Sequence, residues 1–204
     1  KRQGQDLLAP FVDAFRAEGL HVGFYYSLID WHHPEFPIDG IHPLRDLPEA
    51  PEMNKSRDIR KYAEYMRNQV RELLTKFGKL DVLWCDFSYP DNLYRGMRGK
   101  GREDWESEKL LALIRELQPD IVLNNRMDLP DAADIVTPEQ FQPPSWPQVD
   151  GEYVVWETCQ TFSGSWGYHR DEATWKSPGQ LIRMLVNTVS TGGNLLMNVG
   201  PTSL

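Results

Sequence analysis

Cysteine is scarce in this sequence and long hydrophobic runs are missing, and each absence restricts what the protein can be. The two cysteines among 204 residues, Cys85 and Cys159, are too few for a disulfide framework and lack the spacing of a metal site. The longest apolar runs, such as residues 82–85, fall far short of the roughly 20 residues that cross a bilayer. No apolar segment follows residues 1–5, as a signal peptide would require. The sequence therefore predicts a soluble domain.

Positive charge is also in short supply. Lys and Arg number 22 against 30 Asp and Glu, which gives a formal net charge of −8. This balance argues against nucleic acid or an anionic membrane as the main partner, because both attract basic surfaces. Hydrophobic residues at 40% and charged residues at 25% are typical of a globular protein. The length fits one domain or a large piece of one, and we expect both ends to be cut from a longer chain.

Helix-like and strand-like segments alternate along the sequence. Amphipathic periodicity predicts helices at residues 6–18, 57–77, 106–117 and 177–190. Short apolar runs predict strands at residues 21–27, 80–85, 121–124, 134–136, 153–156 and 195–199. A long proline-rich loop is predicted at residues 28–56, and no glycine-rich phosphate loop follows any of the strands. This alternation predicts an α/β fold with a parallel sheet and helical crossovers.

Polar residues stand where almost every predicted strand ends, as at Tyr26, Asp86, Arg126, Glu139 and Glu157. In a (β/α)8 barrel the C-terminal strand ends form the active-site face, whereas a doubly wound sheet gathers such residues at one switch point. We therefore predict an α/β fold of the (β/α)8 TIM-barrel type, as a single partial catalytic domain over residues 1–204. Six predicted strands cannot close an eight-stranded barrel. About six of the eight βα units are expected here, with the first two missing.

Three carboxylates are candidates for catalysis. Asp86 follows a buried strand among aromatic residues, where an aspartate serves either as a turn cap or as a nucleophile on a sugar carbon. Glu139 comes just past a short predicted strand, and Glu157 stands at another predicted strand end. The alternative for each is a solvent-exposed loop carboxylate without a catalytic role. Glycoside hydrolysis needs two carboxyl groups that flank the scissile bond. Asp86 with either glutamate meets that requirement.

Aromatic residues are abundant at the same strand ends, among them Trp84 and Trp156. Such rings either belong to the core or pack on the C–H faces of sugars, whose hydroxyls need charged or amide partners. Arg126 is a candidate for such a partner, and is otherwise a surface arginine. The adjacent histidines at positions 32–33 point in different directions and have no third ligand at zinc spacing, so no metal is expected.

Seven short motifs carry a resemblance to a known family. They are YYSLIDWHHP at 25–34, LWCD at 83–86, NNR at 124–126, TPE at 137–139, WETC at 156–159, SWGY at 165–168 and GGNLLMNVGP at 192–201. In this order and approximate spacing they resemble the α-L-fucosidases of glycoside hydrolase family 29. The resemblance implies a retaining exo-hydrolase that removes terminal α-L-fucose from glycans by double displacement, without a metal or organic cofactor.

The resemblance also implies roles for individual residues. Asp86 matches the nucleophile at the end of the fourth barrel strand, and Glu139 matches the general acid/base of one large branch of the family, with Glu157 as the competing choice. The sugar-binding positions implied are Tyr26, Trp84, Arg126, Trp156 and Tyr168. The two catalytic carboxyl groups of a retaining enzyme are expected about 5–5.5 Å apart.

The sequence departs from the family where it is expected to be incomplete. The paired histidines of the second barrel strand and the C-terminal β-sandwich domain of the family have no counterpart in it. A six-stranded remnant would expose two strand edges, which favours a homo-oligomer. Two alternatives to the fucosidase therefore stay open: an inactive fucosidase-like fragment that assembles into oligomers, and a retaining glycosidase with another sugar specificity. Compartment and linkage preference are not assigned.

Overall fold

Helices and strands alternate along the chain in a computed structural model that describes residues 4–202. The chain divides into two units, Lys1–Ala133 and Asp134–Leu204. The helices are α1 (Leu8–Ala17), α2 (Ala50–Asn54), α3 (Ile59–Lys76), α4 (Arg102–Trp105), α5 (Ser107–Leu117) and α6 (Pro178–Ser190). The strands are β1 (Gly23–Ser27), β2 (Val82–Asp86), β3 (Leu93–Tyr94), β4 (Met97–Arg98), β5 (Val122–Leu123), β6 (Gln148–Val149), β7 (Glu152–Tyr153), β8 (Trp156–Thr161) and β9 (Gly193–Asn198).

A parallel sheet in the order β1-β2-β5 organises the first unit. Its register pairs Tyr25 with Trp84 and Ser27 with Asp86, so β1 and β2 end side by side. The strands lie where they were predicted, but β2 continues one residue further than expected and ends on Asp86 itself. Asp86 therefore has its backbone fixed by the sheet.

The longest helix of the first unit follows its sequence signals closely. The Asp58 side chain accepts a hydrogen bond from the Arg60 amide and caps the start of α3. Gly78, with φ of 69°, adopts the left-handed conformation that ends the helix and that glycine takes without strain. The apolar stripe of α3, which includes Met66 and Val70, is buried. The helix predicted at residues 57–77 is confirmed with slightly shorter bounds.

The core of the first unit lies between its sheet and its helices. Phe24 of β1, Leu83 of β2 and Leu123 of β5 are buried in one hydrophobic cluster with Val70 and Trp105. Because strand side chains alternate between the two faces of a sheet, the neighbouring residues Tyr25 and Trp84 face the opposite side. One face of the sheet is thus used for packing, and the other is left for polar and aromatic groups.

A buried ion pair lies between the two loops that follow β1 and β2. Lys100 Nζ is 3.1 Å from Asp39 Oδ2, and both side chains are almost completely buried. The Tyr89 hydroxyl donates to the same oxygen at 2.9 Å. Because a buried carboxylate is stable only when it is paired and hydrogen-bonded, these contacts fix the two loops to each other. The loop predicted at residues 28–56 also contains the short helix α2.

The second unit contains the parallel pair β8–β9, which is joined by α6. Ser177 and Gln180 form a capping box at the start of α6, with Pro178 as its first residue. Two strand predictions are wrong here. Residues 134–136 form no strand and are held by isolated bridges, among them one between Val136 and Trp156, and residues 153–156 do not form one strand.

The strand near residue 156 begins later than predicted and runs further. Glu152–Tyr153 pairs with Gln148–Val149 in a short antiparallel ribbon, whereas the parallel strand is Trp156–Thr161. The prediction failed because most of this strand is polar, although Thr158, Gln160 and Thr161 are buried. Hydrogen bonds compensate their burial, since Gln160 Nε2 donates to Thr158 Oγ1 at 2.9 Å. Within residues 4–202, no helix has the length and apolar character needed to cross a membrane.

Candidate active site

The carboxylate of Asp86 lies on the face of the first sheet that is turned away from the core, and two side chains hydrogen-bond to it. The Tyr25 hydroxyl donates to Asp86 Oδ2 at 2.8 Å, and Arg126 Nη1 donates to Asp86 Oδ1 at 3.0 Å. The Arg126 and Asp86 side chains are only 17% and 18% exposed. Charge-assisted hydrogen bonds of this kind are roughly twice as strong as neutral ones. Both oxygens of Asp86 are therefore held in fixed positions near the surface.

Strand alternation explains why Tyr25, and not the predicted Tyr26, contacts Asp86. Residues 25 and 27 of β1 face the same side as their partners 84 and 86 of β2. Tyr26 points to the helix side, where its hydroxyl donates to Gln69 Oε1 of α3 at 2.7 Å. Burial raises the pKa of the Tyr26 hydroxyl. The structure thus brings Tyr25 to the carboxylate and places Tyr26 away from it.

Trp84 lies beside both partners of Asp86. Its ring stacks on that of Tyr25 with centroids 5.8 Å apart and an interplanar angle of 22°. The Arg126 guanidinium carbon lies 4.6 Å from the Trp84 ring centroid, within the range of a cation–π contact. Trp84 and Arg126, both predicted as sugar-binding residues, are therefore grouped with Asp86. Sequence reasoning missed Tyr25, although the period-two pattern through Phe24 could have assigned it to this face.

The backbone around Asp86 is fixed on both sides. Before it, the buried Asn124 side chain accepts from the Cys85 amide at 3.1 Å and donates to the Cys85 carbonyl at 2.8 Å. Burial raises the pKa of the Cys85 thiol to about 12. After it, Phe87 has a φ of 76°, a left-handed conformation that costs a bulky residue of order 1–3 kcal/mol and that concentrates at functional sites. The chain turns directly after the carboxylate.

In the second unit, Glu139 lies along strand β8. It forms an isolated parallel bridge with Cys159, and the Gln140 amide donates to the Cys159 carbonyl at 3.0 Å. Glu139 itself is exposed, and Gln140 has a φ of 50°. As at Asp86, a left-handed residue directly follows the carboxylate.

Glu157 lies in a different place from the one its predicted strand end implied. It is the second residue of β8 rather than a residue past a strand, and Asn194 Nδ2 of β9 donates to Glu157 Oε2 at 2.6 Å. The C-terminal end of β8 is at Thr161, so Glu139, which is paired with Cys159, lies nearer that end. Because catalytic groups of parallel barrels gather at C-terminal strand ends, this position favours Glu139 over Glu157.

The two aromatic residues predicted in the second unit differ in accessibility. Trp156 is fully buried, and its indole N–H donates to the Thr191 carbonyl at 2.8 Å. A Cβ on Gly193 would approach the Trp156 ring to 2.3 Å, so a glycine is needed there for close packing. Tyr168 is 57% exposed in the loop after β8. Tyr168 therefore offers an accessible ring, whereas Trp156 occupies a packing position.

The loop that carries Tyr168 is organised by one carboxylate. Glu172 accepts hydrogen bonds from the Thr174 amide at 2.7 Å and from the Ser165 hydroxyl at 2.8 Å. The hydrogen bonds from Thr174, followed by that from Ser165, lower the pKa of Glu172 to about 2. Across residues 4–202, His, Cys, Asp and Glu side chains form no group of three or more that could hold a metal ion.

Known proteins similar to this chain are α-L-fucosidases. The family model described as Alpha-L-fucosidase matches residues 1–204. The structure of α-L-fucosidase isoenzyme 1 from Paenibacillus thiaminolyticus is 44% identical, with a TM-score of 0.87, over 98% of this chain and 48% of that one. The plasma α-L-fucosidase of Rattus norvegicus is 33% identical over 90% of this chain and 36% of its own length.

A more distant structure shares the fold. The α-L-fucosidase AlfC from Lactobacillus casei, solved in complex with its α-L-fucose product, is 24% identical with a TM-score of 0.74, over 98% of this chain and 59% of that one. This chain thus spans about a third to three fifths of the proteins it matches. The resemblance drawn from the seven motifs is confirmed, because the family model covers the whole chain. The chain belongs to the α-L-fucosidase family of glycoside hydrolases, whose catalytic domain is a (β/α)8 barrel.

Proposed function

We propose that the protein is a retaining exo-α-L-fucosidase that releases terminal α-L-fucose from fucosylated glycans. The observation that carries this proposal is the position of Asp86 at the end of β2, with one oxygen bound by Tyr25 and the other by Arg126. A nucleophile on a sugar carbon must be aimed at one atom, and near-attack positioning supplies much of the rate enhancement of enzymes. Family membership supports the choice of fucose.

The first chemical step joins the sugar to Asp86. The Asp86 carboxylate attacks the anomeric carbon of fucose, and the bond from that carbon to the leaving-group oxygen breaks. Glu139, in its protonated form, gives its proton to that oxygen. The products are a fucosyl ester on Asp86, a neutral leaving group and an ionised Glu139. Glu139 is proposed for this role because of its place beside Cys159 of β8.

The second step releases fucose with its original configuration. Glu139 takes a proton from a water molecule, the hydroxyl oxygen attacks the anomeric carbon, and the ester bond to Asp86 breaks. Two inversions at the same carbon give net retention. Each carboxyl group returns to its starting protonation state, so the cycle needs no further reactant.

Binding of the sugar is proposed to depend on charged and aromatic neighbours of the two carboxylates. Arg126 would donate hydrogen bonds to fucose hydroxyls, and Trp84 and Tyr25 would pack beside the ring. Tyr168 is proposed to contact the sugar through its exposed ring, and Trp156 to act as support for β8. Tyr26 is replaced by Tyr25 in this proposal because of its contact with Gln69.

We also propose that the chain is one partial catalytic domain with about six of the eight βα units of the barrel. Parallel strands with helical crossovers support this view in the first unit, where α3 and α5 follow β1 and β2. The pair β8–β9, joined by α6, supports it in the second. We also keep in this proposal the homo-oligomer in which copies of the chain associate through exposed strand edges.

The test is hydrolysis of para-nitrophenyl α-L-fucoside by the full-length protein and by Asp86→Asn. We expect the substitution to lower kcat by on the order of 10⁴-fold or more, as loss of a principal catalytic group does. Asp91→Asn is the matched control, because Asp91 is exposed and lies five residues further on. NMR of the first product should show the α anomer. Full activity of Asp86→Asn, a β-anomeric product, or faster cleavage of aryl galactosides would contradict the proposal.

A paired tyrosine comparison sharpens the same test. Tyr25→Phe removes the hydrogen bond to Asp86, and hydrogen bonds to charged groups are worth about 1.5–3 kcal/mol. We expect kcat/KM to fall at least tenfold. Tyr26→Phe, which removes the bond to Gln69, should leave kcat/KM within about twofold. A larger loss of kcat/KM in Tyr26→Phe than in Tyr25→Phe would instead support Tyr26 as the sugar-binding residue.

A further inference from the structure

The segment directly after Asp86 is hydrogen-bonded to the loop that carries Arg126. The Ser88 hydroxyl donates to the Arg126 carbonyl at 2.7 Å. The same hydroxyl oxygen accepts from the Trp105 indole N–H at 3.1 Å, and Trp105 is fully buried. Ser88 therefore uses its hydroxyl as both donor and acceptor, between a rigid core ring and the backbone of Arg126.

Arg126 depends on such anchors because its strand is short. β5 contains only Val122–Leu123, so Arg126 lies three residues beyond the regular sheet. The loop is fixed before it by Asn124, which pairs with the Cys85 backbone, and after it by Ser107, whose hydroxyl donates to the Met127 carbonyl at 2.6 Å. Ser88 is the anchor at the arginine itself.

These contacts close a ring that contains both charged groups. Asp86 precedes Ser88 by two residues, Ser88 holds the backbone of Arg126, and the Arg126 guanidinium returns to Asp86 at 3.0 Å. The positions of the carboxylate and of the arginine are thus both fixed by the backbone segment 86–88. A displacement of about 1 Å in a catalytic constellation is enough to lower a rate roughly a hundredfold.

We propose that Ser88 is a positioning residue of the fucosidase reaction, which holds Arg126 so that its guanidinium meets the Asp86 carboxylate. The expected effect on kcat rests on the proposed function. The expected effect on the position of the Arg126 guanidinium rests on the hydrogen bonds alone. Ser88 touches no substrate in this scheme. It acts through Arg126.

The kinetic test compares Ser88→Ala with Ser107→Ala in the full-length protein. Both changes remove a serine hydroxyl that donates to a carbonyl of the same loop, so both should lower Tm. We expect Ser88→Ala to lower kcat for para-nitrophenyl α-L-fucoside about tenfold to a hundredfold, with KM changed less than kcat. Ser107→Ala should stay within about threefold of the wild type, because its hydroxyl bonds to Met127 and not to Arg126. Ser88→Thr should keep most of the activity, because threonine retains a hydroxyl at the same position.

A double-mutant cycle shows whether Ser88 acts through Arg126. In an Arg126→Lys background the effect of Ser88→Ala should fall below about twofold, because coupled residues are not additive. An unchanged effect in that background would overturn the inference. So would a Ser88→Ala protein with lowered Tm and wild-type kcat, since that result means a purely structural hydroxyl.

A second readout separates this inference from the proposed function. The signal of the Arg126 Nη1 protons, which are donated to Asp86, should exchange slowly in NMR of the wild type and of Ser107→Ala, and should broaden in Ser88→Ala. An unchanged signal in Ser88→Ala overturns the positioning role even if the protein cleaves fucosides. Broadening in Ser88→Ala, when the wild type keeps the slow signal but cleaves no fucoside, leaves the positioning role intact and rejects the proposed function.

Discussion

The two units bury their apolar residues to very different extents. Among residues 4–202, the buried hydrophobic side chains lie in the first unit apart from Trp156 and Cys159. The second unit instead buries polar residues of β8, and its helix α6 exposes a stripe of apolar side chains. That stripe consists of Ile182, Leu185, Val186 and Val189, which are 49–63% exposed.

The two proposed catalytic carboxylates differ in the same way. Asp86 ends a strand that packs on the core of the first unit, and its oxygens are bound by one neighbour from β1 and one from the loop after β5. Glu139 is exposed on an irregular segment that meets β8 through isolated bridges. A nucleophile needs exact aim, whereas a general acid/base must exchange protons with water and leaving group in turn. The proposed nucleophile therefore lies in the unit with the larger buried core, and the proposed acid/base lies on an exposed segment of the other unit.

After the loss expected for Asp86→Asn, the largest expected effect comes from Glu139 in the second unit. Glu139→Gln should lower the hydrolysis of a fucosylated oligosaccharide by roughly 10²–10⁴-fold, the usual contribution of general acid/base catalysis. The loss should be much smaller with 2,4-dinitrophenyl fucoside, because that leaving group needs no proton. Azide should restore turnover and give a fucosyl azide of retained configuration.

Glu157→Gln is the matched control for this prediction. It replaces the charged acceptor of the Asn194 hydrogen bond inside the β8–β9 pair with a neutral amide, so it should lower stability more than it changes the dependence on the leaving group. A leaving-group dependence that appears in Glu157→Gln and not in Glu139→Gln would transfer the acid/base role to Glu157.

The next effect concerns stability and uses the same substitution in each unit. Val70 in α3 is fully buried, whereas Val186 in α6 is 58% exposed. Val70→Ala should lower the free energy of unfolding by about 2 kcal/mol through lost burial and a residual cavity. Val186→Ala should change it by less than about 0.5 kcal/mol. Thermal and urea denaturation measure both. A larger loss at Val186 would mean that the α6 stripe is covered in the full-length protein.

The smallest expected effect is a difference in pH dependence. His42 of the first unit is buried, and burial lowers its pKa. Its Nδ1 accepts from the Leu44 amide at 3.0 Å, which only the neutral ring can do. The unfolded chain then binds more protons than the native one as pH falls below about 6.5, so stability should decline there. His42→Gln should flatten this part of the stability profile.

The second unit should respond at lower pH. The pKa of Glu172 is lowered to about 2 by its hydrogen bonds, so its contribution is present above the unfolded value of about 4.3 and is lost as pH falls towards 2. Glu172→Gln should flatten the profile between these values. Equal profiles for wild type and both variants would contradict the assignment of the two titrations.

Sequence reasoning succeeded where a single local signal decides the structure. Local signals of this kind are the cap at Ser177, the glycine at position 78 and the apolar run before Asp86. The helices α6 and α3 and the strand β2 lie within two residues of their predicted bounds. The motif around Arg126 also identified a residue that lies beside Asp86. Caps and apolar runs act within a few residues, so they are readable without the fold.

The sequence-based predictions failed where the position of a residue depends on contacts with distant parts of the chain. Tyr25 and Tyr26 are identical side chains, and only the register with β2 assigns one of them to Asp86. Strand β8 was misplaced because its buried residues are polar, and such residues are tolerated only through partners elsewhere in the fold. The role proposed for Ser88 likewise depends on Trp105 and Arg126, which lie 17 and 38 residues away along the chain.

Each unit also contains one buried cysteine, Cys85 in the first and Cys159 in the second. Because both thiols are buried, each is expected to react with an alkylating reagent only after the strand around it opens. Pulsed alkylation followed by peptide mass spectrometry would time the opening of β2, which ends on Asp86, separately from that of β8. The protein therefore carries its own pair of labels for following the two units without any engineered probe.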